Sequence, residues 1–449
     1  MRLSRFAHLF SREGQYFLYS ALSNSFAELS EELYKYICKK EMTDGNVGHT
    51  DMKVGYIPEK EELNVLKQMK AIDVDDDYEL ERIRFSHYAH RFNPQTLSLT
   101  INPTLACNFR CKYCFEKDHR NEFMTEETEN RIVDYVRNHT SSRRLSVTWF
   151  GGEPLLAYRT IRRLTAKLID LKPEYDAGII TNGYLLSKEI CRGLVDMKIS
   201  RMQITIDGNE STHNSRRFLK NGGGTFRQIL NNVEIAQSIA PEIHICIRVN
   251  VDSANSDEFV DVYKYFKKKQ YPNLDVTPGY VVDINESGTN SFCMMDEAKV
   301  RQFLLDLSEK HGIYNNDFYP QGRGGICGAC KPSSVVVGPR GELYRCWNDV
   351  GCRDREYGDI QGNIYNPKVL YEYLGSEDQF ADSKCRECKL LPVCSGGCPY
   401  HRIMSRKKGS DYSSCPLIKT DLDYYLWMHY CHKKSQIHEE KTLVNMKKP

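Results

Sequence analysis

The chain has 449 residues, 40% of them apolar and 27% charged, with a formal net charge of +2. That length carries two or three domains, and so small a net charge gives no general reason to expect nucleic-acid or membrane partners. No stretch approaches the roughly 20 apolar residues of a membrane span. The opening MRLSRFAHLFSREGQYF lacks the apolar core and small-residue cleavage site of a secretory signal, so a cytoplasmic location is expected.

Residues 1–90 read as a first unit. QYFLYSALSNSFAEL suggests short strands around a turn, and helices are predicted through ELSEELYKYI, KEELNVLKQMKA and DDYELERIRFSHYAHRF. No catalytic constellation stands out here; a docking module or a plain structural extension both fit. From residue 91 to 285 strands alternate with helices. β-rich runs fall at TLSLTIN (96–102), RLSVTWF (144–150), DAGIITN (176–182), RMQITID (201–207), IHICIRVNV (243–251) and LDVTPGYVV (274–282). Helices are predicted between them, among them TEETENRIVDYVRNH with Thr125 as N-cap, SKEICRGLVDM and TFRQILNNVEIAQ. Such alternation predicts parallel βαβ units and an α/β fold, a partial (β/α)6 barrel. Residues 286–312 read as a connecting helix and 313–420 as a cysteine-rich domain of short strands and turns, with VVVGPRGELYRC as a hairpin. A helix, DLDYYLWMHY, and a Lys/Glu-rich tail expected to fray make up 421–449.

In a reducing compartment seventeen cysteines read as metal ligands or catalytic groups rather than disulfides. Three lie at Cys107, Cys111 and Cys114, and eight fall in a spaced pattern from Cys327 to Cys415. The scattered Cys38, Cys191, Cys246, Cys293, Cys352 and Cys431 read as small buried hydrophobes. The loop CNFRCKYC follows the first barrel strand, and ligands of parallel α/β sheets bind at that end of the strands. GGEP, TNG and IDG follow the second, third and fourth strands and reach the same rim. Three thiolates with no fourth beside them would leave a metal centre open on one side; a zinc site borrowing a distant ligand is the competing reading.

The CxxxCxxC spacing, with Tyr113 before its last cysteine, resembles the signature of the radical S-adenosylmethionine enzymes. The resemblance implies a [4Fe-4S] cluster on Cys107, Cys111 and Cys114. Its fourth iron chelates S-adenosylmethionine, whose one-electron cleavage yields a 5′-deoxyadenosyl radical. It also implies that Gly151, Gly152 and Glu153 hold the methionine amine, and that QITIDGNESTHNSRR supplies Thr205 and Asp207 for the ribose and Arg217, or else Arg216, for the carboxylate. Asn182 is a weaker cofactor candidate, since Asn-Gly is also a common turn pair.

The later cysteines, Cys327-x2-Cys330-x10-Gly341-x4-Cys346, Cys385-x2-Cys388-x5-Cys394-x3-Cys398 and Cys415, suit two four-ligand sites by count, zinc or iron–sulfur alike. Their spacing resembles the SPASM extension of radical enzymes. That resemblance implies two auxiliary [4Fe-4S] clusters, three in all: one on Cys327, Cys330, Cys346 and Cys398, the other on Cys385, Cys388, Cys394 and Cys415. Either Cys327 or Cys330 fits the leading position; if one alone ligates, that cluster keeps an open iron.

The opening QYFLYSALSNSFAELSEELYKYI resembles the start of SPASM peptide maturases, in which a winged-helix-like domain binds a precursor's leader as an added strand. The resemblance implies a peptide maturase that crosslinks a ribosomally made precursor, by a thioether first and a carbon–carbon or carbon–oxygen bond second. A small reducing protein such as flavodoxin or ferredoxin would supply electrons. Two alternatives are an anaerobic sulfatase-maturing enzyme and a zinc-binding interaction protein. Against the first, Trp347 follows the hairpin cysteine Cys346, where such enzymes carry an acid, and Asp349 lies two residues further on.

Overall fold

The computed structural model describes residues 1–44, 56–114, 116, 120–281, 296–314, 318–320, 326–376, 378–408 and 414–446, without the side chains of 42–44, 408 and 437–446. Cys293 and the front of the expected connecting helix lie outside those residues. The chain divides into two compact units. One gathers residues 1–91, 307–327 and 377–449; the other gathers 92–306 and 328–376. Residues 313–420 thus contribute to both.

The first unit opens with an antiparallel sheet ordered β1 (Ala7–Arg12), β2 (Gln15–Ser20), β3 (Ser25–Leu29). Strand β1 was not anticipated from the sequence. It pairs with β2 from Ala7↔Ser20 to Arg12↔Gln15 around Glu13 and Gly14, both at positive φ. Two left-handed residues are what a tight hairpin turn needs, and Glu-Gly is a weaker signal for one than Asn-Gly. Helices α1 (Glu31–Asp44), α2 (Lys60–Gln68) and α3 (Asp76–Arg91) follow. Leu33, Ile37, Leu66 and Met69 form a core with Ala7 and Leu18 on one face of the sheet. The alternate residues Phe10 and Phe17 stack on the other face, where Trp427 and Tyr430 lie against Phe17. Period-2 alternation thus lets one short sheet bury both its faces.

The second unit is built on a nine-stranded sheet. Its centre is β4 (Thr96–Ile101), β5 (Arg144–Trp149), β6 (Glu174–Thr181), β7 (Ile199–Thr205), β8 (His244–Val251) and β9 (Leu274–Tyr280), all parallel and in chain order. Between them run α4 (Glu126–Asn138), α5 (Tyr158–Leu171), α6 (Lys188–Asp196), α7 (Glu210–Arg216), α8 (Phe226–Ile239) and α9 (Phe259–Lys269). Helix α4 starts where Thr125 accepts from Thr128 N, and it buries Ile132, Val133 and Val136, an i, i+1, i+4 stripe. Pro278 is tolerated in β9 because that strand is the sheet's edge.

The barrel is open. The free edge of β4 is occupied by β10 (Ser334–Val337), which runs parallel to it. The hairpin partner β11 (Glu342–Tyr344) and the short β12 (Gly358–Asp359) extend the sheet beyond. The hairpin predicted around Gly-Pro-Arg-Gly therefore forms, and in addition completes the barrel sheet. After β9 come α10 (Glu297–His311), α11 (Pro367–Leu374), α12 (Ser383–Arg386), α13 (Leu391–Cys394), α14 (Pro399–Lys408) and α15 (Leu422–Met446). The tail expected to fray is instead helical to Met446, since nothing between His432 and Met446 is a Gly or Pro that would stop it. Among the described residues no helix is long and apolar enough to cross a membrane.

Candidate active site

The Cys107–Cys114 loop leaves the carboxyl end of β4 and is stitched down on both sides. Thr104 donates to Glu122 O and accepts from Ala106 N. Arg110 N and Lys112 N donate to Phe218 O and Arg216 O. Gly152 N and Glu153 N donate to Thr104 O and Ala106 O, which pulls the Gly-Gly-Glu loop against the cysteine loop. A Cβ on Gly151, at φ +117, would meet Thr104 O at 2.4 Å, and one on Gly152 would meet Ala106 O at 2.4 Å. Real Cβ atoms do not come so close to a backbone oxygen, so this approach requires both glycines.

In front of the loop opens a cavity of about 320 Å3, onto which Cys107, Cys111 and Cys114 all face. Burial pushes the thiols of Cys107 and Cys114 up to about 12. Held so deep, they become thiolates only beside a cation, as a metal centre provides.

The predicted cofactor residues divide into those that reach the cavity and those that stand behind it. Tyr113, Gly151, Gly152, Asn182, Thr205 and Arg217 are on its wall. Glu153 is not: it is fully buried, and its oxygens accept from Leu155 N at 3.0 Å, Thr181 Oγ1 at 2.7 Å and Asn182 N at 2.7 Å. The carboxylate expected to meet an ammonium is spent on the backbone. It shapes the turn while the two glycines face the cavity. Asp207 is likewise fully buried and off the wall. It accepts from the Tyr113 hydroxyl, from Asn250 N at 3.1 Å and from Arg216 Nε at 3.5 Å. Its place is behind the residues that would meet a ribose.

The same network separates the two adjacent arginines. Arg216 pairs with Asp252 at 2.6 Å and lies over the Tyr113 ring, which uses its charge internally. Arg217 donates to the Tyr113 hydroxyl at 2.7 Å, is only 8% exposed, and keeps a buried Nε with no partner. An unsatisfied buried guanidinium donor on a cavity wall suits an anionic ligand group. Asn182 is held by Asn108 and by Tyr184 N, so it is a turn residue and a wall residue at once.

Sequence reasoning missed Gln203 of β7, Arg248 and Asn250 of β8, Tyr280 at the end of β9, and Trp347 and Asn348 after the hairpin cysteine. Gln203 with Thr205, and Arg248 with Asn250, follow the two-residue period of a strand's inward face, so the strand ends themselves carried the signal. Arg248 lies across Gly279, where a Cβ would come within 2.3 Å of its guanidinium carbon, and it donates to Asn250 Oδ1 at 2.8 Å. Trp347 stacks at a tilt on Phe150, their centroids 5.6 Å apart.

In the first unit Cys385, Cys388, Cys394 and Cys415 line a pocket of about 20 Å3 together with Lys419. Of the other predicted auxiliary ligands, Cys327 and Cys398 belong to the first unit and Cys330 and Cys346 to the second. Among the described residues no three His, Cys, Asp or Glu side chains converge as they would on a single ion.

Residues 101–266, from the last residue of β4 to most of α9, match the family model described as the Radical SAM superfamily. The open parallel sheet, the three-cysteine loop and that match identify a radical S-adenosylmethionine domain within the chain, which is an enzyme. The family implies one [4Fe-4S] cluster and S-adenosylmethionine. The glycine cradle, the three facing thiols and the unpartnered Arg217 Nε fit both. The chain is 23% identical over 460 aligned residues to the radical SAM cyclopropyl synthase TigE of Paramaledivibacter caminithermalis, covering 93% of this chain and 94% of that protein. It is 25% identical over 337 residues to the cysteine-type anaerobic sulfatase-maturating enzyme of Clostridium novyi, covering 68% and 88%. The fold is similar to that of Streptococcus suis SuiB bound to its precursor peptide SuiA, with a TM-score of 0.52, 15% identity, and coverage of 93% of this chain and 99% of that one.

Proposed function

We propose that this enzyme forms an intramolecular bond in a ribosomally made precursor peptide. When bound, the cluster and S-adenosylmethionine supply a 5′-deoxyadenosyl radical that removes one hydrogen atom from an unactivated carbon of the peptide. The chain's own residues prepare that event. Cys107, Cys111 and Cys114 would hold the cluster, the Gly151–Gly152 backbone and Arg217 would orient the methionine part, and Thr205 and Asn182 would border the nucleoside side. Phe150, Trp347, Tyr280 and Val281 give the cavity an apolar flank that keeps water from a carbon radical.

The observation that carries the reading is the presence of a roomy three-thiol cavity and, besides it, a much smaller four-thiol pocket. Bond closure after hydrogen loss releases a proton and an electron, and the pocket's cysteines, with Cys327, Cys330, Cys346 and Cys398, would hold two auxiliary clusters to take that electron up. A small reducing protein such as flavodoxin or ferredoxin would start the cycle. A thioether is the first product class, and carbon–carbon or carbon–oxygen crosslinks the second. The name of the TigE relative adds cyclopropyl formation, and every one of these products has lost two hydrogens.

The first unit supports peptide docking. Its β3 is a sheet-edge strand that pairs, among the described residues, with β2 alone, and an extended leader can add there through main-chain hydrogen bonds. Sulfatase-type maturation is the weaker reading because Asp349 is 1% exposed and already accepts from Arg355 Nε at 3.0 Å and the Tyr373 hydroxyl at 2.8 Å. Trp347 reaches the cavity instead.

The test is to incubate the reconstituted enzyme, reductant and S-adenosylmethionine with a small peptide encoded beside it. A mass loss of two hydrogens, located by fragmentation, is expected, and excess free leader should suppress it while uncoupled cofactor cleavage continues. Conversion of a lone Ser or Cys to an aldehyde would transfer the case to the sulfatase reading. A colourless, zinc-loaded protein in place of about twelve irons per chain would end the enzyme reading altogether.

A further inference from the structure

Two cations address the sulfurs of the four-thiol pocket, and the chemistry described so far uses neither. Arg402, on α14, points Nη1 and Nη2 at Cys385 Sγ, 3.6 and 3.7 Å away. Nη1 also donates to Gly396 O at 3.1 Å and Nη2 to Asp382, so the guanidinium is clamped rather than free to swing. Lys419, beyond the last cysteine, brings Nζ within 3.6 Å of Cys415 Sγ. The sulfurs stand here as thiols. In a cluster they would be thiolates, which accept hydrogen bonds and do not donate them.

Donation to a ligating sulfur draws electron density from the iron, and a nearby positive charge favours whichever redox state is the more negative. Both effects act in one direction. The carboxylate of Asp382 opposes them, since it too lies 3.7 Å from Cys385 Sγ, but its charge is engaged by Arg402. The two cations reach two different sulfurs from two different chain segments.

We propose that Arg402 and Lys419 are redox-tuning residues that raise the reduction potential of the cluster held by Cys385, Cys388, Cys394 and Cys415, making it an electron acceptor. This rests on the reading that those four cysteines hold a four-iron cluster. The reduction concerned is a one-electron step, the electron arriving from dithionite in the test and from the peptide radical in turnover.

The test uses the full chain, reconstituted anaerobically in the Cys107→Ala/Cys111→Ala/Cys114→Ala background to remove the first cluster's signal. Iron and sulfide are counted, and the remaining signals are followed by electron paramagnetic resonance in a mediated dithionite titration. Arg402→Gln/Lys419→Gln should keep the parent iron content. One signal should shift to lower potential by at least a tenfold change in the oxidised-to-reduced ratio, 59 mV for one electron. Each single variant should shift it less, and Arg402→Lys, which keeps a charged donor, least of all. Should Arg402→Gln fail to load iron, Lys419→Gln and Arg402→Lys carry the test. Full iron with unmoved midpoints would overturn the tuning role. If Cys388→Ala/Cys394→Ala instead kept all the parent's iron, the cluster assignment itself would fall, and the proposal with it.

Discussion

The two cysteine fields of this protein are built in opposite ways. The loop of Cys107, Cys111 and Cys114 spreads three thiols before a cavity of about 320 Å3, and the wall beyond them is made of glycine backbone, amides and an arginine with an unused donor. Cys385, Cys388, Cys394 and Cys415 gather four thiols around about 20 Å3, and charged side chains bond the sulfurs themselves. The open field leaves room and unspent polar groups for a second molecule. The second field leaves much less room, and under the proposed function it would serve as an electron reservoir. The same residue type would then serve two chemistries, according to what surrounds it.

Emptying the open field would break the comparison most sharply. Cys107→Ala/Cys111→Ala/Cys114→Ala should abolish 5′-deoxyadenosine formation, measured by chromatography, while iron of the second field persists. Simultaneous loss of all iron would mean the fields are not independent. A smaller effect should follow at the wall. Arg217→Gln removes a charge-assisted donor worth about 1.5–3 kcal/mol, so S-adenosylmethionine should bind roughly ten- to a hundredfold more weakly in equilibrium titration, with iron content unchanged. Unaltered affinity would place the carboxylate elsewhere.

The smallest effect concerns acid. His213, behind the open site, accepts from Asp207 N at 3.2 Å, and burial, with Arg217 and Arg216 nearby, lowers its pKa to about 3 from an ordinary 6.5. Because the folded state resists this proton, the unfolded state binds more protons between those values. Stability is therefore full above pH 6.5 and declines as pH falls below it. The loss should be about 2 kcal/mol by roughly pH 5, read as a shift in urea midpoint, and His213→Gln should flatten that slope. An equal slope in the variant would assign the acid sensitivity to other groups.

Much of the site was legible because its parts are local. CxxxCxxC places three thiols on one loop whatever surrounds them, and strands β4 to β9 announced themselves by β-rich runs divided by capped helices. Glu153 and Asp207, expected to touch the cofactor, lie off the cavity wall. Both follow the right strands, but each carboxylate turned inward to satisfy backbone N–H groups, hydroxyls or arginine, as a buried charge must. Arg216 and Arg217 are neighbours in sequence with the same chemistry, and their distant partners distinguish them: Asp207 and Asp252 for Arg216, the Tyr113 hydroxyl for Arg217. Strand β1 was missed because its turn residues are ordinary ones.

The sequence by itself determined which side chains could carry iron, the order of the parallel strands and the rim where their loops meet, since spacing and periodicity are properties of neighbours along the chain. Tertiary structure alone decided that β10 occupies the edge of β4, that one arginine of a pair keeps a free donor, and which thiols share a pocket with a lysine. Those outcomes depend on burial and on the competition of distant partners for each polar atom, and no short stretch of chain contains that information.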